Sequence, residues 1–402
     1  MIIYDDLKPN SKMTQSVSES DSLLPQEKQA IVALSSIMGV RMLGLFMVLP
    51  VLALQAESLR AATPTLIGLS IGAYGLTQAF LQLPYGILSD RFGRKPMIVM
   101  GLVFLVLGSV IAAHATSIYT LILGRALQGS GAIGATLMAF LSDLTRSQMR
   151  TRAMAFMGAS IGLAFLFAFI LGPLILSWSS LSALFYVTAA LGVGAILLAL
   201  KLPSVPVLRY WTSWQSRIKT IGKQPHLQGL FVSVLCLHAL LAATFIVIPK
   251  RLNALTPINP AWVYGGALGF AFLLIYPFFR KMDKSANRNL LMALILTLSV
   301  CLVALMMQQS FIFFTLILSA FFAIFCLLEA WLPALTSQFS PEESRGTTLG
   351  IFSTCQFLGV FLGGALGGLI LEQFDLVGLQ VGCIVLSVAW LLFCMRFKFV
   401  QQ

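Results

Sequence analysis

The chain has 402 residues, 58% of them hydrophobic and only 10% charged, with a mean hydropathy of +0.92. A water-soluble domain carries about 25% charged residues, so a chain of this composition cannot hide its apolar surface from water. An ordinary cytosolic enzyme and a nucleic-acid binder are both excluded. The net charge of +12 would suit a polyanion partner, but its distribution along the chain says otherwise.

Residues 1–26 are polar and serine-rich and include Asp5, Asp6, Glu19 and Asp21. With no apolar core they are not a signal peptide, and they read as a disordered cytoplasmic tail. Six apolar runs follow, at 31–55, 65–88, 97–114, 118–142, 152–175 and 181–200. A polar linker at 201–226 carries Pro203, Pro206, Trp211, Trp214 and Pro225; it reads either as a short amphipathic helix on the membrane surface or as a plain connection. Six more runs occupy 227–249, 261–279, 290–308, 312–338, 346–370 and 377–395, and 396–402 form a second short tail. Each run is long enough to cross a bilayer of about 30 Å. The expected fold is an all-α membrane protein of twelve transmembrane helices, in two six-helix bundles at 27–200 and 227–395.

Twelve crossings put both termini on one side. With that side inside, all but five of the 26 lysines and arginines fall in inner tails and loops. Only Arg60, Lys250 and Arg251 are outside, while Arg41 and Arg125 lie within runs. This is a positive-inside pattern, so the basic charge reports topology. The halves also echo each other at an offset of 195 residues: Arg150 falls on Arg345, Leu171-Gly172 on Leu366-Gly367, and Leu174-Ile175 on Leu369-Ile370. A parallel repeat of two bundles around a central cavity is the transporter arrangement that fits.

The loop between runs two and three reads Gly86-Ile-Leu-Ser-Asp90-Arg91-Phe-Gly93-Arg94-Lys95-Pro96. It resembles the signature loop of the major facilitator superfamily almost position for position. Arg125-Ala-Leu-Gln128-Gly129 in run four resembles the arginine–glycine motif of the same superfamily, and Gly158, Gly162 and Gly172-Pro173 resemble a loose antiporter motif without its denser glycine run. Arg41-Met-Leu-Gly44 through Pro50, Tyr74 to Gln78, Gly124 to Gly131, and Leu328-Glu329-Ala330 with Pro333 carry a resemblance to the YajR-like group of the drug/proton antiporter family. It covers roughly residues 30–395, and it implies the major facilitator fold and proton-linked transport. The named member of that group has a soluble ferredoxin-like domain after its last span, whereas this sequence stops at Gln402.

The motif loop has a physical reading. Gly86 and Gly93 permit close helix approach or unusual backbone angles, and Pro96 suits a first helical turn. Asp90 can meet helix amides or an arginine, and Asp143 can complete a cluster with Arg91, Arg94 or Arg146. Such a cluster, with Lys95 beside it, reads as a cytoplasmic gate that latches in one state and breaks in the other; the plain alternative is a solvated charge run.

Ionisable groups within a membrane span are functional candidates by default. Here they are Arg41, Arg125, Glu329 and His238, with His114 nearer an end and read as interfacial. At 1.5 Å per residue, Arg41, His238 and Glu329 fall at comparable depths, roughly 13–16 Å into their runs. Burial favours a neutral carboxyl and a cationic neighbour favours the carboxylate. Glu329 therefore reads either as a proton carrier that exchanges surroundings between two states, or as a static partner of Arg41 or another base. His238 reads as a proton or substrate coupling group or as a hydrogen-bonded mid-span histidine. Arg125 with Gln128 reads as a coupling element, which the resemblance supports, or as a helix–helix contact. Tyr74, Gln78 and Gln82, spaced by four, share one helical face and read as cavity lining or as interhelical hydrogen bonds. Trp331 and Pro333 follow Glu329, where the proline can bend the helix. Gly359, Gly363, Gly364, Gly367 and Gly368 permit close packing within the bundle.

No bond-making chemistry is visible. There is no P-loop, and Gly131-Ala-Ile-Gly134 lies mid-run as a packing motif. The six cysteines have no metal-ligand spacing, so neither cofactor nor metal is expected. The leading expectation is a secondary active transporter of the bacterial inner membrane, acting as a monomer among lipids and exporting a small amphipathic compound against protons. Arg41 and Arg125 against Glu329 leave a surplus buried cation. The alternative is therefore proton-coupled transport of an anionic metabolite or a metal chelate such as a carboxylate siderophore. A non-transporting receptor on the same fold is the third reading.

Overall fold

The computed structural model describes residues 23–203, 219–281, 288–307, 309–341 and 344–396, with the side chains of 276–281 left aside. Most of the expected N-terminal tail, and Trp211 and Trp214 of the linker, lie outside the described residues. The described chain is helical: α1 Pro25–Phe46, α2 Leu49–Gln55, α3 Pro64–Phe92, α4 Arg94–Ala113, α5 Ile118–Gly129, α6 Gly134–Asp143, α7 Arg150–Trp178, α8 Leu181–Lys201, α9 Pro225–Thr244, α10 Ile248–Leu255, α11 Pro260–Lys281, α12 Arg288–Met307, α13 Phe311–Phe339 and α14 Arg345–Arg396.

Local chemistry sets the helix ends. Pro25, Pro64 and Pro225 stand in the first turns of α1, α3 and α9, where the missing N–H is no loss. Thr63, Ser117 and Ser180 accept hydrogen bonds from Leu66, Thr120 and Ala183 at the starts of α3, α5 and α8, as capping hydroxyls do. Gly93 turns the chain from α3 into α4 at φ 97°, a conformation that a side chain would strain.

Among the described residues nine helices are long and apolar enough to span a membrane, or ten if Ile248–Leu255 and Pro260–Ile275, bent by 109°, count as one. Not every expected run is one continuous helix. The run at 118–142 is broken at 130–133 into α5 and α6, where Gly129 and Gly131 press against the backbones of Tyr74 and Gly101. The last two runs form α14, two helices joined across a kink at Asp375 (φ 55°, ψ −163°). Ile370 and residue 382 would be about 18 Å apart along a straight helix, yet a Cβ at Gly382 would lie 3.3 Å from Ile370 Cδ1. The chain therefore folds back on itself there.

In the first half α1 packs on α7 and α8, α4 on α5 and α8, and α3 on α5; in the second, α9 packs on α14, and α13 on α11 and α12. The halves meet through α3 on α14 and α7 on α11. Near the end of the bundle opposite Gly93 (the far face) these meetings are close. A Cβ on Gly68 of α3 would fall on the Gly364 carbonyl of α14; only glycine lets two backbones approach so far. Lys250 pairs with Glu57 across the halves, and Thr65 N–H donates to Glu372 at 2.9 Å. Toward the Gly93 end (the gate face) contact loosens. Leu83 meets Gly350 only by its side-chain tip, and a Cβ at Gly86, Gly158, Gly162, Gly269 or Gly346 would meet nothing within 4 Å among the described residues.

Candidate functional site

The motif loop folds into a compact ionic cluster. Arg94 Nη1 is 2.5 Å from Asp90 Oδ1 and donates to Ser89 Oγ at 2.6 Å, while its Nε donates to Asp143 Oδ2 at 3.0 Å. Lys95 donates to the carbonyls of Leu200 and Leu202 at 2.6 and 2.9 Å, satisfying the end of α8. Of the three arginines expected beside Asp143, Arg94 is the one bound to it. Arg91 lies over the Phe92 ring, and Arg146 is committed to Glu27 through both carboxylate oxygens at 3.0 Å. All these groups belong to the first half.

A second network crosses α3, α4 and α5. Arg125 is 3% exposed; its Nη1 donates to Gln128 Oε1 at 2.9 Å, and its guanidinium lies 5.0 Å from the centre of the Tyr74 ring. Gln128 in turn donates to Ser109 Oγ at 2.7 Å. Gln78 Nε2 donates to Gln82 Oε1 at 2.8 Å. Tyr74, Gln78, Gln82, Gln128 and Trp331 are all buried, so none presents open surface in this conformation. Arg41 is buried too and makes no ion pair among the described residues; its one hydrogen bond there runs from Nη1 to Met38 Sδ at 3.9 Å.

The third constellation lies in the second half. His238 Nδ1 is 3.0 Å from the Val234 carbonyl, which can only accept, so Nδ1 carries a proton. Nε2 then offers a lone pair to Gln356 Nε2 at 2.9 Å. The same Gln356 amide donates to Glu329 Oε1 at 2.9 Å, and Glu329 Oε2 stands 3.4 Å from His238 Nε2. Two acceptors thus face each other; one proton added to Glu329 Oε2 converts that contact into a hydrogen bond, whereas one added to His238 Nε2 also takes the lone pair that Gln356 uses. The Glu329 side chain is 34% exposed although it stands mid-helix, as a group facing an internal opening does. Arg41 and Glu329 share a depth but not an ion pair. Beside the trio lies a buried aromatic cluster from both halves: Phe325 is 5.8 Å from His238 and stacks at 5.8 Å on Phe165, and Phe169 meets Phe322 at 5.4 Å.

Sequence reasoning missed Gln356, which links His238 to Glu329. The available signal was its polarity within an apolar run. It also missed Glu27, whose pairing with Arg146 anchors the start of α1, and the aromatic cluster. A cleft of about 380 Å3 between α1 and α8, lined by Ser36, Val40, Val187, Leu191, Gly194 and Leu198, is apolar and holds none of these groups.

A multi-span helical bundle with buried ionisable groups at matched depth, whose halves bring their backbones closest at one end, has the build of a membrane transporter. The family profile described as Major Facilitator Superfamily matches residues 31–258. The chain is 42% identical over 377 residues to "Inner membrane transport protein YajR" of Escherichia coli (strain K12), covering 92% of this chain and 83% of that protein. It is 29% identical over 352 residues to "Multidrug resistance protein MdtH" of Yersinia enterocolitica, covering 81% of each. A solved bacterial homolog of the human lysosomal transporter Spinster superposes with a TM-score of 0.72 at 16% identity, over 93% of this chain and 97% of that one. The chain belongs to the Major Facilitator Superfamily and, within it, to the YajR-like group of the drug/proton antiporter family. It is a bacterial multi-pass inner-membrane protein and a secondary transporter of the alternating-access type, a class that moves solutes without catalysing a reaction.

Proposed function

We propose that the protein exports a small amphipathic compound in exchange for protons, and that the Glu329–Gln356–His238 trio is where the proton rides. The trio's geometry carries this reading: two facing acceptors 3.4 Å apart, bridged by one amide, take up one proton with little rearrangement. The aromatic cluster next to it offers an apolar wall for the cargo, and the Yersinia relative is named for multidrug resistance. Twelve crossings follow if α5 and α6 make one broken span, α11 its own span and α14 two. The bias of basic residues then makes the gate face cytoplasmic, with both termini on that side. In this orientation the bundle is closed outside and open inside, and the Arg94 cluster acts at the inner gate.

The test is transport in proteoliposomes with an imposed pH gradient, using cationic amphipathic dyes and small polycarboxylates as cargo. Glu329→Gln is expected to lose gradient-driven flux at least about tenfold, as removal of a positioned proton carrier does; flux equal to wild type would refute the role. A second reading, an anionic cargo, is favoured by one observation: Arg41 and Arg125 are buried, and neither has a carboxylate partner among the described residues.

A further inference from the structure

The break at 130–133 places the start of α6 inside the bundle rather than at its surface. That start is uncapped: Ile133 precedes it, and no side chain accepts from its first turn. The first amides of a helix have no partner within the helix, and they carry the positive end of its dipole. Beside that start stands Arg41 of α1. A Cβ built on Gly134, the first residue of α6, would lie 3.4 Å from Arg41 Nη1 and 3.3 Å from Gln82 Nε2.

Arg41 is 2% exposed, and its Nε and Nη2 have no hydrogen-bond partner among the described residues. A guanidinium keeps its charge in proteins, and a buried charge without a partner is costly. One leftover acceptor on α3, Gln78 Oε1, is itself without a donor, so it does not satisfy the guanidinium. Glu27, Glu57, Asp90 and Asp143 are each paired with another base, and Glu329 is held by the Gln356 amide beside His238. A guanidinium and a helix N-terminus, two positive ends, thus stand side by side inside the bundle, with Nε and Nη2 of Arg41 free and no carboxylate paired to them among the described residues.

We propose that this point is a mid-membrane monoanion site, in which Arg41, the first-turn amides of α6 and the Gln82 amide bind the carboxylate of a transported molecule or a free halide. Broken helices that aim their N-termini at an anionic group near the membrane centre are a known transporter device, and a planar fork such as Nε–Nη2 fits a carboxylate through two parallel bonds. The absent side chain at Gly134 leaves the room. The inference deepens the anionic-cargo reading and rests on it for the carboxylate source. Equilibrium binding without a gradient tests the site alone, so it can fail while proton-coupled flux stands, and the reverse.

The experiment uses the purified full chain in halide-free buffer, with bromide and 4-bromobenzoate as probes. A saturable rise in unfolding temperature is expected with at least one of them. Arg41→Gln should weaken that apparent affinity roughly 10–100-fold, the usual loss for a charge-assisted bond, and Arg41→Lys should keep part of it. Wild-type crystals soaked with each probe locate the site whether or not the variants fold. A bromide peak in contact with Arg41 assigns a free ion, and a bromobenzoate peak one ring length away assigns a carboxylate. No anomalous peak near Arg41 with either probe, or a stabilisation unchanged in a folded Arg41→Gln, would overturn the proposal.

Discussion

The two ends of the bundle are held by different chemistry. At the far face the halves touch through backbone: Gly68 of α3 against Gly364 of α14, with Gly368 stacked on Pro64. At the gate face the strong contacts among the described residues are ionic and stay within the first half, joining α1 to the 144–149 connection through Glu27–Arg146 and α3, α4 and α6 through Asp90, Arg94 and Asp143. Shape closes one end between the halves, while charge stiffens one half at the other. A half stiffened in this way moves as a unit, which rigid-body alternating access requires. The closed end depends on a surface that any added carbon spoils.

The largest expected effect breaks the closed end. Gly364→Val puts branched carbons where the Gly68 carbonyl and the Gly72 backbone lie. Overpacking costs about 1–3 kcal/mol, and the cheapest relief is separation of α3 from α14. The population should move from far-face closed toward far-face open by roughly 5–150-fold. Electron–electron resonance distances between labels at positions 58 and 253 would report this as a longer component. Gly162→Val, where an added Cβ meets nothing within 4 Å among the described residues, is the matched control and should leave the distribution unchanged.

A smaller effect sharpens the other side of the comparison. Glu27 is 3% exposed and accepts from Arg146 at both oxygens and from the backbone N–H of Arg146 and Leu24. Glu27→Gln keeps the shape and removes the charge, so about 1.5–3 kcal/mol of stability should go. Thermal unfolding should begin earlier, while the far-face distances stay as in wild type. A change in those distances would mean that the ionic cluster sets closure as well as stiffness.

The same contrast explains what the sequence made legible. Apolar runs and the basic bias are one-dimensional signals, and the motif loop concentrates its partners within a few residues, so the Arg94 cluster could be anticipated. Depth was also readable: His238 and Glu329, counted along their helices, meet at 3.4 Å. Rotation about the helix axis was not. Arg41 has the same depth as Glu329 but points to α3 and α6, and Gln356 faces the pair from a glycine-rich run whose pattern does not single out one face. The break at 130–133 was hidden because Gly-Ser-Gly-Ala-Ile is as apolar as an unbroken span, and only the approach of two neighbouring backbones opens it.

The Lys250–Glu57 pair is an ionic contact at the far face that joins the halves, and it tests how far shape alone closes that end. Its side chains are 34% and 46% exposed, so water and salt screen it, and such pairs contribute about 0–1 kcal/mol. Glu57→Gln should therefore shift the far-face population by less than about fivefold. Raising wild type to about 1 M salt, where the screening length falls to about 3 Å, should reproduce most of that shift, and the variant should respond little further. Gly364→Val should shift as strongly at high salt as at low, since overlap between carbon and backbone oxygen is not screened. A Glu57→Gln shift as large as that of Gly364→Val would reverse the assignment and make the far face an ionic lock.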